Sequence, residues 1–123
     1  MARIAEVSTA NLKKLVDAGI PIATGTDAGN PLTLHGPAIY AEMEAMQASG
    51  MTPMQVIVSS TAIAARAMGL DKQIGTVEKG KDADLVVVSA DPAKDVAAFR
   101  KLRYVVRAGV TRPVEDLHAL AQK

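Results

Sequence analysis

The run Ile20-Pro21-Ile22-Ala23-Thr24 constrains this chain more than any other stretch, because it reads as a strand buried on both faces. Such a strand has no polar side to turn toward water and needs a neighbour on each edge. Pro21 is tolerable only in its first residue or two, since proline donates nothing to a ladder. Ahead of it, Ser8 or Thr9 is placed to cap a helix whose apolar stripe is Leu12, Leu15 and Val16. Gly19 closes that helix in the left-handed position. A helix joined to a strand by two residues is half of a parallel-sheet unit. At 123 residues the chain is about half of what a (β/α)8 barrel needs, roughly 250 residues.

The segment Gly25 to Gly36 is rich in small and turn-forming residues, so it reads as a loop leaving the carboxyl end of the strand. In α/β proteins chemistry gathers at that end. A helix follows with Ile39, Met43 and Met46 at helical spacing, and Gly50 stops it. Thr52-Pro53-Met54-Gln55 fits a capping box with Pro at the first helical position. The helix it opens carries Ile57, Ile63, Ala64 and Ala67, with a bend near Ser59-Ser60-Thr61, and ends at Gly69. Met43, Met46, Met54 and Met68 read as core filler.

Beyond Gly69 the period changes. Ile74 to Val77 reads as a weak strand, and Lys79, Lys81, Asp82 and Asp84 as a solvated connection. Leu85 to Val88 is a β-branched strand, Asp91-Pro92 starts a turn, and Leu102 to Ala108 alternates as a half-exposed strand. A short amphipathic helix is expected over 113–121 through Val114, Leu117 and Leu120. The expected organisation is therefore 1–69, mainly α/β, then a β-rich 70–112, then a tail helix over 113–123.

Fourteen basic against thirteen acidic side chains leave a formal charge of +1, so there is no electrostatic case for nucleic acid or an anionic membrane. With no cysteine, disulfides, thiolate zinc sites and cysteine nucleophiles are excluded. No apolar run approaches the roughly 20 residues of a membrane span, and no signal-peptide pattern opens the chain, so a soluble, cytoplasmic chain is expected. The glycines after the strand lack both the Walker and the dinucleotide patterns. No Gly-x-Ser-x-Gly elbow is present.

Two loop residues can carry chemistry. Asp27, at the carboxyl end of the strand between Thr26 and Gly29, can ligate a divalent metal or take a proton from an attacking water. It can equally be an aspartate that closes a turn through its side chain. His35, eight residues on, can bind metal, shuttle a proton or hold an anionic group, or simply start a helix. His118 lies between apolar positions of the tail helix and is expected to face solvent.

Three stretches resemble the metal-dependent amidohydrolases, in the imidazolonepropionase-like and Xaa-Pro dipeptidase-like branch. Asn11 to Asp27, ending Gly-Ile-Pro-Ile-Ala-Thr-Gly-Thr-Asp-Ala-Gly, resembles the last helix–strand pair of the barrel. Thr52 to Leu70 resembles the helices leaving it. Ile74 to Val88 resembles the small β domain beside it. The resemblance implies the last helix–strand–helix part of a (β/α)8 barrel plus a β-rich adjunct. It implies that Asp27 contacts the metal centre and relays the proton of the hydrolytic water, and that His35 contacts substrate. It also implies a divalent metal, zinc, in the complete enzyme, which hydrolyses amide, cyclic amide or dipeptide-like C–N bonds of a small-molecule substrate.

In that family the other ligands come from a His-x-His on the first strand, a carboxylated Lys or Glu, and His residues on the fifth and sixth strands. None has a counterpart in these 123 residues. The expectation is a chain that binds no metal stably and is inactive alone, and that self-associates or takes up a companion supplying the missing barrel half. An interaction module or one half of a split enzyme is the alternative.

Overall fold

A computed structural model describes residues 2–31 and 33–120. Helix α1 spans Ala2–Asp17. It begins well before Ser8 and Thr9, which lie inside it, because the sequence ahead of them is free of Gly and Pro and rich in helix formers. Its end is as expected. Gly19 has φ 72°, its N–H donates to the Val16 carbonyl at 2.9 Å, and the Ile20 N–H donates to the Leu15 carbonyl at 3.0 Å. Those two bonds define a Schellman closure. Leu12 and Val16 pack on the core, whereas Leu15 is 41% exposed.

The segment Ile20 to Thr24 forms no strand. No second strand lies beside it among the described residues, so its backbone has no ladder to join. The Thr24 N–H reaches only the Ser59 carbonyl at 3.4 Å, and Ile20 stays 48% exposed.

Helix α2 spans Pro37–Ala48 and buries Met43 and Met46. After Gly50, helix α3 (Pro53–Val58) opens on the expected capping box. The Thr52 hydroxyl accepts from the Gln55 N–H at 3.2 Å, and the Gln55 side chain accepts from the Thr52 N–H at 2.8 Å. The bend expected near Ser59 is a π-helical turn, Ser59–Ile63, before a last turn, α4 (Ala64–Ala67). Ser60 and Thr61 donate their hydroxyls to the Val56 and Ile57 carbonyls. This side-chain competition with the backbone ladder accompanies bends. The extra residue in the turn rotates the helix, so Val56, Ser59 and Ala65 are the buried positions, with Ile57, Ile63 and Ala64 half-buried and Ala67 exposed.

Ile74 to Val77 is turn and bend, not strand. Gly75 has φ 96°, and a Cβ there would lie 2.6 Å from the Ala65 Cβ. Glycine therefore lets this turn rest directly on α4. The polar connection after it is more ordered than its composition suggests. Lys81 Nζ donates to the Asp71 carbonyl at 2.7 Å and to the Thr76 hydroxyl at 2.5 Å, and its side chain is 15% exposed.

Strands β1 (Leu85–Val88), β2 (Leu102–Arg107) and β3 (Val110–Pro113) make an antiparallel sheet in the order β1-β2-β3. The register pairs Leu85 with Val106 and shifts between Val87 and Val88. Ala108 belongs to a two-residue turn, not to the strand. Ala108 and Gly109 have φ 48° and 79°, as a tight hairpin of this twist requires. Asp84 makes an alanine tenable there. One carboxylate oxygen accepts the Ala108 N–H at 2.8 Å, and the other pairs with Arg107. Asp91 caps its turn through the Ala93 N–H at 3.0 Å.

Between β1 and β2 lies a 3-10 turn, Val96–Arg100. Its Val96 completes one core with Met43, Met46, Met51 and Val56, against which Ile22, Ile39 and Phe99 pack. The methionine reading holds for Met43 and Met46 only. Met54 and Met68 are 53% and 63% exposed, and Met51 is buried instead. Helix α5 spans Val114–Leu120; the surroundings of His118 lie outside the described residues. No described helix is long and apolar enough to cross a membrane.

Met46→Ala removes a core side chain that is 5% exposed and should cost about 2–5 kcal/mol. Thr52→Ala should cost about 1 kcal/mol by deleting the cap. Urea unfolding should show both as lower midpoints at an unchanged slope, the methionine variant moving further.

Candidate functional site

The Asp27 loop is held by its own side chains. Asp27 adopts φ 50°, a left-handed conformation that aspartate tolerates better than most residues. The Asn30 side-chain amide donates to the Asp27 carbonyl at 2.9 Å and to the Asp27 carboxylate at 2.5 Å. Gly29 N–H donates to the Thr33 carbonyl and Thr33 N–H to the Asn30 carbonyl, each at 3.0 Å. Gly29, with φ 108°, also makes room for His35. A Cβ at Gly29 would lie 3.4 Å from the imidazole Nε2. The loop therefore folds His35 back over the backbone two residues beyond Asp27.

The turn and the chemistry readings of Asp27 are compatible in this geometry. Its carboxylate closes the loop through Asn30 and remains exposed. An aspartate in an uncommon backbone conformation, fixed by neighbours, keeps its orientation without further ordering.

Beside the loop is an open cleft of about 550 Å³, walled by Gly25, Thr26, Thr33, Leu34, Glu42 and Arg100. Asp27 and His35 are not among the residues that line it. Glu42, on α2, accepts the Gly25 N–H at 2.7 Å, while its second carboxylate oxygen is buried without a partner among the described residues. Sequence reading passed over Glu42, although its position between Ile39 and Met46 at helical spacing puts an acid on the packed face of α2.

Arg100 closes the far side of the cleft. Its Nε and Nη2 donate to Glu44 at 2.5 and 2.9 Å, and its guanidinium lies 5.5 Å from the centre of the Tyr40 ring. A planar guanidinium suits both contacts. The hydrogen bond from Arg100 holds the Glu44 carboxyl below the usual glutamate range, with the Arg100 charge acting in the same direction.

A second depression, of about 400 Å³, runs along Ile20, Pro21 and Ile22 to Met54, Val58 and Ile63. It is apolar apart from Arg66 and a few hydroxyl and amide groups, and it sits beside the unladdered segment.

The donor set does not make a metal site by itself. Among the described residues no three His, Asp or Glu side chains converge to hold an ion. Asp27 offers one carboxylate already engaged by Asn30, whereas zinc takes three or four protein ligands.

Comparison with known proteins matches the amidohydrolase family over residues 2–112. The chain belongs to the amidohydrolase family. It is 40% identical to the imidazolonepropionase of Shouchella clausii strain KSM-K16 over 104 residues, covering 81% of this chain and 23% of that protein. The solved structure of molinate hydrolase superposes with a TM-score of 0.82 at 30% identity, over 93% of this chain and 27% of that one. A Xaa-Pro dipeptidase with bound methionine gives 0.78 at 30% identity, over 85% and 25%. The chain spans about a fifth of the length of the curated relatives it matches. The fold is the expected partial α/β barrel with a small antiparallel sheet beside it.

Because Glu44 is held below its ordinary range, its pairing with Arg100 persists above that range and is lost as pH falls through the lowered value. A carboxyl-detected NMR titration should give Glu44 a midpoint below that of a free glutamate. Arg100→Gln should return it to the ordinary range.

Proposed function

We propose that residues 1–123 are the carboxyl-terminal part of a metal-dependent amidohydrolase that hydrolyses C–N bonds of amide, cyclic amide or dipeptide-like substrates. In this reading 1–69 end the barrel, 70–112 contribute to a composite β domain, and 113–123 are the tail, whose described helix is Val114–Leu120. The observation that carries it is Asp27, held by Asn30 in a left-handed loop immediately after the segment that α1 leads into. The likeness to an imidazolonepropionase, a molinate hydrolase and a Xaa-Pro dipeptidase supports the bond class, since each name describes a hydrolase or a C–N substrate.

Asp27 accepts a proton from the attacking water and returns it to the departing nitrogen, which leaves as a neutral amine. The bond between carbonyl carbon and nitrogen breaks as the bond to the water oxygen forms. His35, folded over Gly29, contacts the substrate beside it. The divalent metal, zinc, belongs to the complete enzyme, whose remaining donors lie outside the residues described. Alone, residues 1–123 are inactive and bind no stoichiometric metal.

The apolar depression beside Ile20 to Ile22 favours a partner that completes the barrel, either a companion polypeptide or the chain's own copy. In a second reading, this surface makes the chain a non-catalytic interaction module.

The test is reconstitution. Residues 1–123 are mixed with a separately produced barrel portion of a relative and zinc, and assayed on imidazolonepropionate and on an Xaa-Pro dipeptide. Hydrolysis should appear only in the mixture and fall by about 10²–10⁴ with Asp27→Asn. Association without hydrolysis, equally strong in the Asp27→Asn chain, would favour the interaction module. Elemental analysis of the isolated chain should find well under one metal per chain; a stoichiometric metal would refute the inactivity of the chain alone.

A further inference from the structure

The Asp27 loop has an anchor outside itself. Gly25 is the last residue but one before Asp27, and its N–H is taken by the Glu42 carboxylate at 2.7 Å. This bond crosses from the end of the extended segment to the middle of α2, a helix fixed by the buried Met43 and Met46. The loop's internal bonds, Asn30 to Asp27 and Gly29 to Thr33, set its shape but not its place relative to the helices. Of the backbone N–H groups from Ile22 to Gly25, Thr24 has a long bond to Ser59 and Gly25 has this one. The shorter and charge-assisted of the two is the bond to Glu42.

The cost of keeping Glu42 there argues that it serves more than packing. Its Oε2 is buried without a partner among the described residues, a cost that an apolar side chain such as methionine on the same face of α2 would not carry. What the carboxylate supplies, and an apolar side chain does not, is an acceptor for the Gly25 N–H.

We propose that Glu42 is a positioning residue: through the Gly25 N–H it fixes the base of the loop and so the direction in which Asp27 presents its carboxylate. The inference rests on the assignment of Asp27 as the proton-relaying group, and assigns Glu42 no contact with substrate. A rigid support one element away holds a reacting group within the narrow geometry that proton transfer tolerates.

The test uses residues 1–123 with isotope labels, and needs no turnover. Two signals are followed by NMR: hydrogen exchange of the Gly25 amide, and the residual dipolar coupling of the Asp27 backbone amide relative to those of α2, which reports the direction of the loop on the helix. Glu42→Ala should speed Gly25 exchange about tenfold, the loss expected for one net hydrogen bond, and pull the Asp27 coupling away from the value that fits the α2 frame. Glu42→Gln, which keeps an acceptor oxygen, should restore both signals to near their original values. If Glu42→Ala unfolds the chain, Glu42→Met, which fills the same face of α2 without an acceptor, decides the matter by the same two signals. Unchanged Gly25 exchange in a folded Glu42→Ala or Glu42→Met chain would overturn the proposal, as would a released Gly25 with an undisturbed Asp27 coupling. Failure of the Asp27 assignment is separate: it would show as reconstituted hydrolysis indifferent to Asp27→Asn, whatever the Gly25 amide does.

Discussion

The structure depends on a small core in which three methionines of the helical part meet a valine from the β-rich part. Met43, Met46 and Met51 close on Val56 and on Val96, and Leu12, Ile22 and Phe99 are laid against them. Methionine's flexible thioether suits a meeting point between elements of different geometry. Polar bonds fix the join. Gln47 accepts the Val96 N–H at 2.9 Å and donates to Asp95 at 3.2 Å, while Arg100 reaches back to Glu44. Helix α2 is thus the common support. One face holds the core, Glu44 and Gln47 hold the 3-10 turn, and Glu42 holds the base of the Asp27 loop.

That arrangement explains why a chain with an unladdered segment still presents an ordered loop. Ile20 to Thr24 has lost the lateral bonds that a sheet would give it. The two ends remain tied, one by the Schellman closure at Gly19 and the other by Gly25 and Glu42. Between those ties the segment lies against the core through Ile22 and offers Ile20 and Pro21 to the apolar depression. A surface of this kind is stable in water only to the extent that its apolar area is small or covered. Its order comes from its ends.

Local chemistry was the legible part of the sequence. The capping box at Thr52, the left-handed closure at Gly19, the helix stop at Gly50 and the β-branched run from Leu85 depend on near neighbours and stand as read. So does the bend at Ser59, whose hydroxyl-rich run gives the backbone carbonyls competing donors. Features that depend on distant partners were not legible. The strand at Ile20 needed neighbours that a periodic pattern cannot supply. Met51 was hidden in a loop, and Met54 and Met68 lie off the buried line of Val56, Ser59 and Ala65. The third strand was missed because Ala108 is an unusual residue for a tight hairpin, made tenable by Asp84, 24 residues earlier. At the site, Asp27 and His35 stood out by residue type in a glycine-rich loop. Glu42 did not: its spacing from Ile39 and Met46 marks the packed face of α2, but the Gly25 N–H that it accepts lies 17 residues away and no local pattern names it.

The clasp between Gln47 and Val96 joins residues 49 positions apart. During synthesis, α2 and α3 therefore emerge with the methionine face still open. At ribosomal speeds of about 5–20 residues per second, several seconds pass before the valine that closes it has been added. Through that interval the nascent helices display a soft apolar surface only partly covered, by Leu12, Val16 and Ile22. The order of the letters, and not only their identity, makes the newborn chain a client for whatever shields such surfaces in the cell.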